Sequence, residues 1–182
     1  MIKYINYLNN KKIKKDIKPL FLSAFPSEER PPADIFFKGF ENDHNVLYGF
    51  YDEETFIGFA SLVLYKDIAY IFFLAVSPSQ RDKGYGSMIL TLLKELYKDY
   101  VLLLCYEEVD EKYSDYQIRQ KREQFYLRNG FISNDLKTNE FGVIFQTAYY
   151  GAHKVKFEDY VEIFVYGFGE FARKHINILF DE

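Results

Sequence analysis

Apolar positions along the chain change period several times, and each change marks an element. Met1 to Tyr7 reads as a first strand. From about Lys14 to Phe25 the apolar residues Ile17, Leu20, Phe21 and Ala24 recur at helical spacing. Pro26, Pro31 and Pro32 break that pattern, and a short helix follows over Ala33 to Phe40. Three runs rich in Phe, Tyr, Ile and Val come next: Asn45–Tyr51, Thr55–Tyr65 and Ile68–Val76. The breaks between them, Asp52-Glu53-Glu54 and Lys66-Asp67, suit antiparallel hairpins. After Gly86 the spacing returns to helical, with Met88, Ile89, Leu92, Leu93 and Leu96 in one stripe. Val101–Tyr106 is a continuous apolar run, as expected of a strand buried on both faces. A charged loop leads into a helix that ends near Asn129, with Gly130 as its stop. Phe131–Lys137 and Phe141–Tyr150 read as two more strands. In the tail, Phe157, Tyr160, Val161, Phe164, Phe168 and Phe171 fall near one face, although Gly167 and Gly169 oppose an unbroken helix. Packing of this tail on the rest of the chain is expected ahead of a homodimer built through it.

The chain has 182 residues, enough for one domain with a proper core. No repeat or low-complexity linker divides it, so residues 1–182 read as a single domain. Its core spans about 1–150, and 151–182 form an aromatic helical extension. At 48 % hydrophobic and 20 % aromatic residues, the composition excludes a disordered chain. The net charge of −4 points to neither nucleic acid nor an anionic membrane as partner. The lysines between Lys11 and Lys18 read as a solvated helix face, and no apolar run long enough to span a membrane is present. Cys105 is the one cysteine, which excludes an internal disulfide framework and fits a cytoplasmic location. It reads as a small core residue. His44, His153 and His175 lack metal-ligand spacing, so no metal is expected.

The most specific local pattern runs from Leu74-Ala75-Val76-Ser77-Pro78 through Arg81-Asp82-Lys83-Gly84-Tyr85-Gly86-Ser87 into the next helix. A glycine-containing loop at a helix start exposes N–H groups that no helical carbonyl can satisfy. With the positive end of the helix dipole these donors favour phosphate. Arg81 and Lys83 add positive charge on the same loop. The P-loop pattern is absent, and the dinucleotide fingerprint fails because Ile89 stands where its third glycine belongs.

A strand ending Leu-Ala-Val-x-Pro, then Arg-x-x-Gly-x-Gly and a helix, resembles the coenzyme A loop of the GNAT superfamily of acyl-CoA N-acyltransferases. Gly58 in Phe56-Ile57-Gly58-Phe59-Ala60 is similar to a second piece of that family, and Phe125-Tyr126-Leu127-Arg128-Asn129-Gly130-Phe131 to a third. The blocks Glu29-Arg30-Pro31-Pro32 and Asn139-Glu140-Phe141-Gly142-Val143 resemble bacterial members of unsettled substrate. The order β-α-α-β-β-β-α-β-α-β-β is also that of the family. The fold implied is of the α/β (α+β) class: a single mixed, mostly antiparallel twisted sheet of about seven strands flanked by helices.

The resemblance implies an N-acetyltransferase that moves an acetyl group from acetyl-CoA to a primary amine, by direct attack and without a covalent enzyme intermediate. It places coenzyme A on Arg81, Lys83, Gly84, Tyr85, Gly86 and Ser87, with the pantetheine arm along the backbone of Leu74 and Val76. The Leu74 N–H then faces the thioester carbonyl. Tyr126 takes the place of the acid that protonates the coenzyme thiolate. Arg119 stands where the family often has an asparagine that contacts the cofactor, and an arginine there reaches toward a phosphate oxygen. The strand position of the usual base is held by Tyr70 and Phe72, neither suited to the task, which leaves Glu107 and Glu108 as candidate bases. Strand alternation points those two to opposite sides. Glu29 and Arg30, in the loop between the first two helices, border the expected acceptor pocket. The acceptor is a small-molecule or peptide amine. A non-catalytic acyl-CoA-binding sensor or interaction module on the same fold is the alternative, and an oligomer-building structural domain is a second rival.

Overall fold

The computed structural model describes residues 2–27, 30–42, 44–140, 142–168 and 176–179. Its elements are β1 (Lys3–Asn6), α1 (Lys14–Ala24), α2 (Ala33–Lys38), β2 (Asn45–Asp52), β3 (Thr55–Tyr65), β4 (Ile68–Val76), α3 (Tyr85–Leu96), β5 (Val101–Glu107), α4 (Tyr116–Arg128), β6 (Ile132–Glu140), β7 (Val143–Tyr150), α5 (Phe157–Phe168) and β8 (Ile176–Leu179). The chain divides into two compact units, Met1–Leu64 with Ile71–Leu96 and Tyr65–Tyr70 with Tyr97–Glu182. Strand β4 contributes to both.

In the first unit the strands lie in the order β1-β2-β3-β4. Both β1–β2 and β2–β3 are antiparallel, and Asp52 pairs Thr55 across the tight Glu53-Glu54 hairpin. The apolar stripe of α1 buries Ile17, Leu20 and Phe21, which leaves its lysines outside. These side chains meet Phe36 and Phe37 of α2 and Phe59, Phe73 and Ala75 of the strands in one aromatic-rich core. Phe21 stacks on Phe36 with centroids 4.0 Å apart and meets Phe73 edge-on at 5.4 Å. Each such pair contributes about 1 kcal/mol beyond its buried area. Along β4, Phe73 and Ala75 enter this core, Phe72 packs against it half-buried, and Leu74 and Val76 are half-buried and outside it.

Strands β3 and β4 approach closely at one point. A Cβ added at Gly58 would lie 2.2 Å from the Ala75 carbonyl oxygen and 3.1 Å from the Val76 Cα. Nearby, the Phe73 N–H donates to the buried Ser61 Oγ at 3.1 Å, and Ser77 N–H to the Ile57 carbonyl at 2.8 Å. Only glycine admits the Ala75 carbonyl so close to the neighbouring strand.

In the second unit the order is β5-β7-β6-β8, with every pair antiparallel. Helix α5 buries Tyr160, Val161, Ile163 and Phe164, and its Tyr160 and Phe164 rings pack on Tyr70. Gly167 does not interrupt it, whereas Gly169 and Phe171 fall outside the described residues. Strand β8 was not expected from the sequence. It adds to the edge of β6, with Lys137 opposite Leu179. A second correction concerns α3. Its buried side chains are Ile89, Leu90 and Leu93, while Met88 is 41 % exposed, because the helix turns its 89–90–93 stripe inward. Among the described residues no helix is long and apolar enough to cross a membrane.

Gly58→Ala forces the Ala75–Val76 backbone away from β3. We expect a loss of about 3 kcal/mol, read by thermal denaturation as a fall in Tm of roughly 6–12 °C. An unchanged Tm contradicts the close approach.

Candidate functional site

The loop after β4 is built so that a helix begins with its donors uncovered. Pro78–Gln80 form a single 3-10 turn, after which Arg81 is extended. Asp82 then takes φ +60° and Gly84 φ +80°, two left-handed residues that swing the chain into α3. Asp is among the few non-glycine residues that tolerate this region. The first helical bond runs from the Met88 N–H to the Gly84 carbonyl at 3.1 Å. Gly84 is therefore the capping residue, and the N–H groups of Gly84, Tyr85, Gly86 and Ser87 precede any helical acceptor. A Cβ at Gly84 would meet nothing within 4 Å, so this side of the loop is open.

Both cations of the loop are folded back on it. Lys83 Nζ donates to the Ser79 carbonyl at 2.9 Å and to Gln80 Oε1 at 3.1 Å, while Arg81 Nε reaches the Val76 carbonyl at 3.4 Å. They lend positive charge to the turn that leads into α3. Tyr85, the first helical residue, donates its hydroxyl to Asp52 Oδ2 at 2.7 Å, and this bond raises its pKa. Asp82 is exposed. On β4, Leu74 and Val76 occupy the half-buried face, the one not committed to the aromatic core. Elsewhere in the first unit, Arg30 Nε donates to the Phe25 carbonyl at 2.9 Å and its guanidinium lies over the Phe21 ring at 5.6 Å. Arg30 thus ties its loop to the end of α1. Glu29 lies outside the described residues.

In the second unit, α4 ends in a turn that explains the Phe-Tyr-x-x-x-Gly-Phe block. Gly130 sits at φ +79°. Its N–H donates to the Leu127 carbonyl at 2.9 Å, and the Phe131 N–H to the Tyr126 carbonyl at 3.2 Å. These are the paired bonds of a Schellman stop, with its apolar contact made by Phe131 and Tyr126, whose rings lie 6.1 Å apart. Burial pushes the Tyr126 phenol up to about 12, so it carries its proton throughout the neutral range. The neighbouring Tyr106 donates to Glu123 Oε1 at 3.3 Å.

The two acids expected as bases are both engaged. Glu107 Oε2 accepts a short hydrogen bond from Arg122 Nη1. Glu108 accepts from Lys112 Nζ at 2.7 Å, the Tyr113 hydroxyl at 3.0 Å and Lys137 Nζ at 3.4 Å. The Lys112 ammonium holds its carboxyl below the usual range, which weakens it as a base. Arg119 pairs with Asp115 at 2.8 Å, donates to the Glu108 carbonyl at 3.2 Å, and stacks on the Tyr113 ring at 3.9 Å.

Sequence reasoning missed a buried polar cluster under α5. Tyr70 is fully buried, with its hydroxyl 3.0 Å from Cys105 Sγ and 3.5 Å from the Tyr160 hydroxyl. The Tyr160 hydroxyl makes a short hydrogen bond to Glu140 Oε1, and Thr138 Oγ1 donates to the same oxygen at 2.6 Å. Burial raises all four titratable groups: the Tyr70 and Tyr160 phenols, the Cys105 thiol and the Glu140 carboxyl. The signal was available in β6. Asn134, Leu136, Thr138 and Glu140 alternate as its buried face, so a glutamate falls on the inward beat of a strand.

Comparison with known proteins bears on these geometries. The family model described as the GNAT acetyltransferase family matches residues 12–131. No curated protein sequence matches the chain. Among solved structures, a GNAT-family protein from Bacteroides thetaiotaomicron aligns with TM-score 0.72 and 21 % identity, covering 92 % of this chain and 98 % of its own. An aminoglycoside 6'-N-acetyltransferase complexed with coenzyme A aligns with TM-score 0.67 and 16 % identity over 82 % of this chain and 96 % of its own. A spermidine/spermine N-acetyltransferase from Vibrio cholerae aligns with TM-score 0.63 and 13 % identity over 82 % and 94 %. These likenesses show the fold expected from the sequence, a mixed sheet with flanking helices. With the family model spanning residues 12–131, which include the β4 loop, α3 and the Tyr126 block, the chain belongs to the GNAT family of acetyltransferases.

Proposed function

We propose that the protein transfers an acetyl group from acetyl-CoA to a primary amine by direct attack on the thioester. The observation that carries this reading is the start of α3, where Asp82 and Gly84 turn the chain, the first four N–H groups precede any helical acceptor, and the Cβ side of Gly84 is open. Such a cradle suits the pyrophosphate of coenzyme A. A similar structure complexed with coenzyme A supports the same donor.

In this reading the amides from Lys83 to Ser87 hold the pyrophosphate, with Arg81 and Lys83 supplying charge. The backbone of Leu74 and Val76 runs beside the pantetheine arm, and the Leu74 N–H faces the thioester oxygen. A preorganised donor there lowers the barrier by roughly 3 kcal/mol. The bound thioester supplies an activated acetyl carbon and a sulfur leaving group. Tyr126 keeps its proton at neutral pH and hands it to the departing sulfur. Arg119 stays near its Asp115 partner and offers its remaining N–H groups to a phosphate. Glu29 and Arg30 border the acceptor. Neighbouring structures named for aminoglycosides and for spermidine or spermine support an amine as acceptor. The second reading is a non-catalytic acyl-CoA-binding module, and it is favoured by the cations that occupy Glu107 and Glu108.

Calorimetric titration tests the cradle. Wild type is expected to bind acetyl-CoA one to one. Gly84→Ala, which carries only the strain of a side chain at φ +80°, should weaken binding modestly. Gly84→Glu should abolish it by placing an anion beside the pyrophosphate. Equal affinities for Gly84→Glu and wild type contradict the assignment.

Tyr126→Phe separates binding from chemistry. Its affinity for acetyl-CoA should stay near that of wild type, while steady-state turnover falls about 100-fold, the scale of a lost general acid. Undiminished turnover passes the acid role to water or to another group.

A further inference from the structure

The loop between β4 and α3 is fastened at both ends to one hairpin of the first unit. At its start, the Ser77 N–H donates to the Ile57 carbonyl at 2.8 Å. At its exit, the Tyr85 hydroxyl donates to Asp52 Oδ2 at 2.7 Å, a bond that raises the phenol pKa and so keeps it a donor at neutral pH. Asp52 and Ile57 both belong to the β2–β3 hairpin, whose tight turn sets Asp52 opposite Thr55. The ladder slips by one residue just before that turn. Phe50 faces Gly58 and Tyr51 faces Phe56, which makes Ile57 the extra residue of a bulge. A bulge increases the local twist and re-aims the strand beyond it. Ile57 is fully buried and anchors the bulge, while the tip beyond it brings the Asp52 carboxylate to Tyr85. Between the two fastenings the loop has little packing to hold its shape. Arg81, Asp82, Lys83 and Gly84 are exposed, and a Cβ at Gly84 would meet no atom within 4 Å. The bonds of Lys83 and Arg81 run to Ser79, Gln80 and Val76, within the loop or at the end of β4. Helix α3 is held further along by Ile89, Leu90 and Leu93, so its first turn is braced from the side by Tyr85.

We propose that Asp52 and the Tyr85 side chain are positioning residues for the acyl donor, and that their bond holds the amides of Gly84, Tyr85, Gly86 and Ser87 in the arrangement that the pyrophosphate of coenzyme A requires. The assignment rests on the acetyl-transfer reading and adds to it a residue outside the loop. Several N–H groups must converge to hold one anion, and a loop that is ordered only on binding gives up part of the affinity. Tyr85 takes part twice, since its amide belongs to the helix start and its ring reaches back to the hairpin. Asp52 acts through Tyr85 rather than on the donor itself. Its part is to accept a hydrogen bond, which an uncharged oxygen in the same place can also do.

The test measures coenzyme A affinity by calorimetry for wild type, Tyr85→Phe, Asp52→Ala, the double variant and Asp52→Asn, with Tm recorded for each. Tyr85→Phe and Asp52→Ala are each expected to weaken binding about tenfold. The double variant should bind no more weakly than Tyr85→Phe, because either change alone removes the bond. Asp52→Asn keeps a side-chain oxygen that accepts from Tyr85. It should therefore bind no more than about twofold more weakly than wild type. In 15N spectra of the free proteins, the amides of Gly84 to Ser87 should shift in Tyr85→Phe and Asp52→Ala and stay near their wild-type positions in Asp52→Asn. A general loss of stability lowers Tm and gives neither the rescue nor the shared loss of affinity. Wild-type affinity in both single variants overturns the assignment. Losses that multiply in the double variant overturn it too, as does an Asp52→Asn that binds as poorly as Asp52→Ala. Should one single variant not fold, the other and Asp52→Asn read the proposal between them. A wild type that binds no coenzyme A overturns the reading of the loop, and this assignment with it. A wild type that binds, beside variants that bind equally well, overturns this assignment alone.

Discussion

A helix cannot satisfy its own first N–H groups, and the first unit is arranged around leaving those of α3 uncovered. Capping side chains close most helix starts. Here Gly84 has no side chain to offer, and at φ +80° its carbonyl accepts the first helical bond while the amides before it have no helical acceptor. The strand before the loop is held to the same purpose. Gly58 lets the Ala75 carbonyl press against β3, and Ser61 satisfies the Phe73 N–H from its side chain. Phe73 and Ala75 anchor β4 in the aromatic core, which frees Leu74 and Val76 for the opposite face. Rigid packing behind the loop and helix-start donors with no helical acceptor suit the anion site proposed above.

The second unit works by keeping protons in place. Tyr126 is fixed through its backbone by the Phe131 N–H and through its ring by Phe131, and burial holds its proton. The same burial keeps Tyr70, Tyr160 and Cys105 neutral around Glu140. Glu108 shows the opposite arrangement, since Lys112 beside it holds its carboxyl below the usual range, and Glu107 pairs with Arg122. Acids of one type thus take two roles, and the difference lies in whether a cation or an apolar wall stands beside them.

Much of the fold was legible because it follows from local pattern. The limits of β4 are those of the apolar run Ile68–Val76, and Gly130 stops α4 where the sequence places its stop. The loop from Arg81 to Ser87 was legible for the same reason, since its geometry follows from glycines and a helix start. Features set by distant packing were not. Which side of α3 faces inward depends on the surface it meets, so Leu90 replaced Met88 in the buried stripe. Strand β8 is four residues long and exists by pairing with β6, a contact no local window contains. The pairing of Glu107 with Arg122 depends on where α4 lies against β5. Glu140 stands on the inward beat of β6, where the hydroxyls of Thr138 and Tyr160, the latter from distant α5, support its burial.

The central claim is that the open amides at the start of α3 bind the pyrophosphate of coenzyme A. The most direct measurement is a titration of coenzyme A into 15N-labelled protein, followed amide by amide in heteronuclear NMR spectra. The account predicts saturable shifts largest at Gly84, Tyr85, Gly86 and Ser87, with smaller ones at Leu74 and Val76. Saturable binding that leaves those six amides unmoved, or no binding at all, would contradict it.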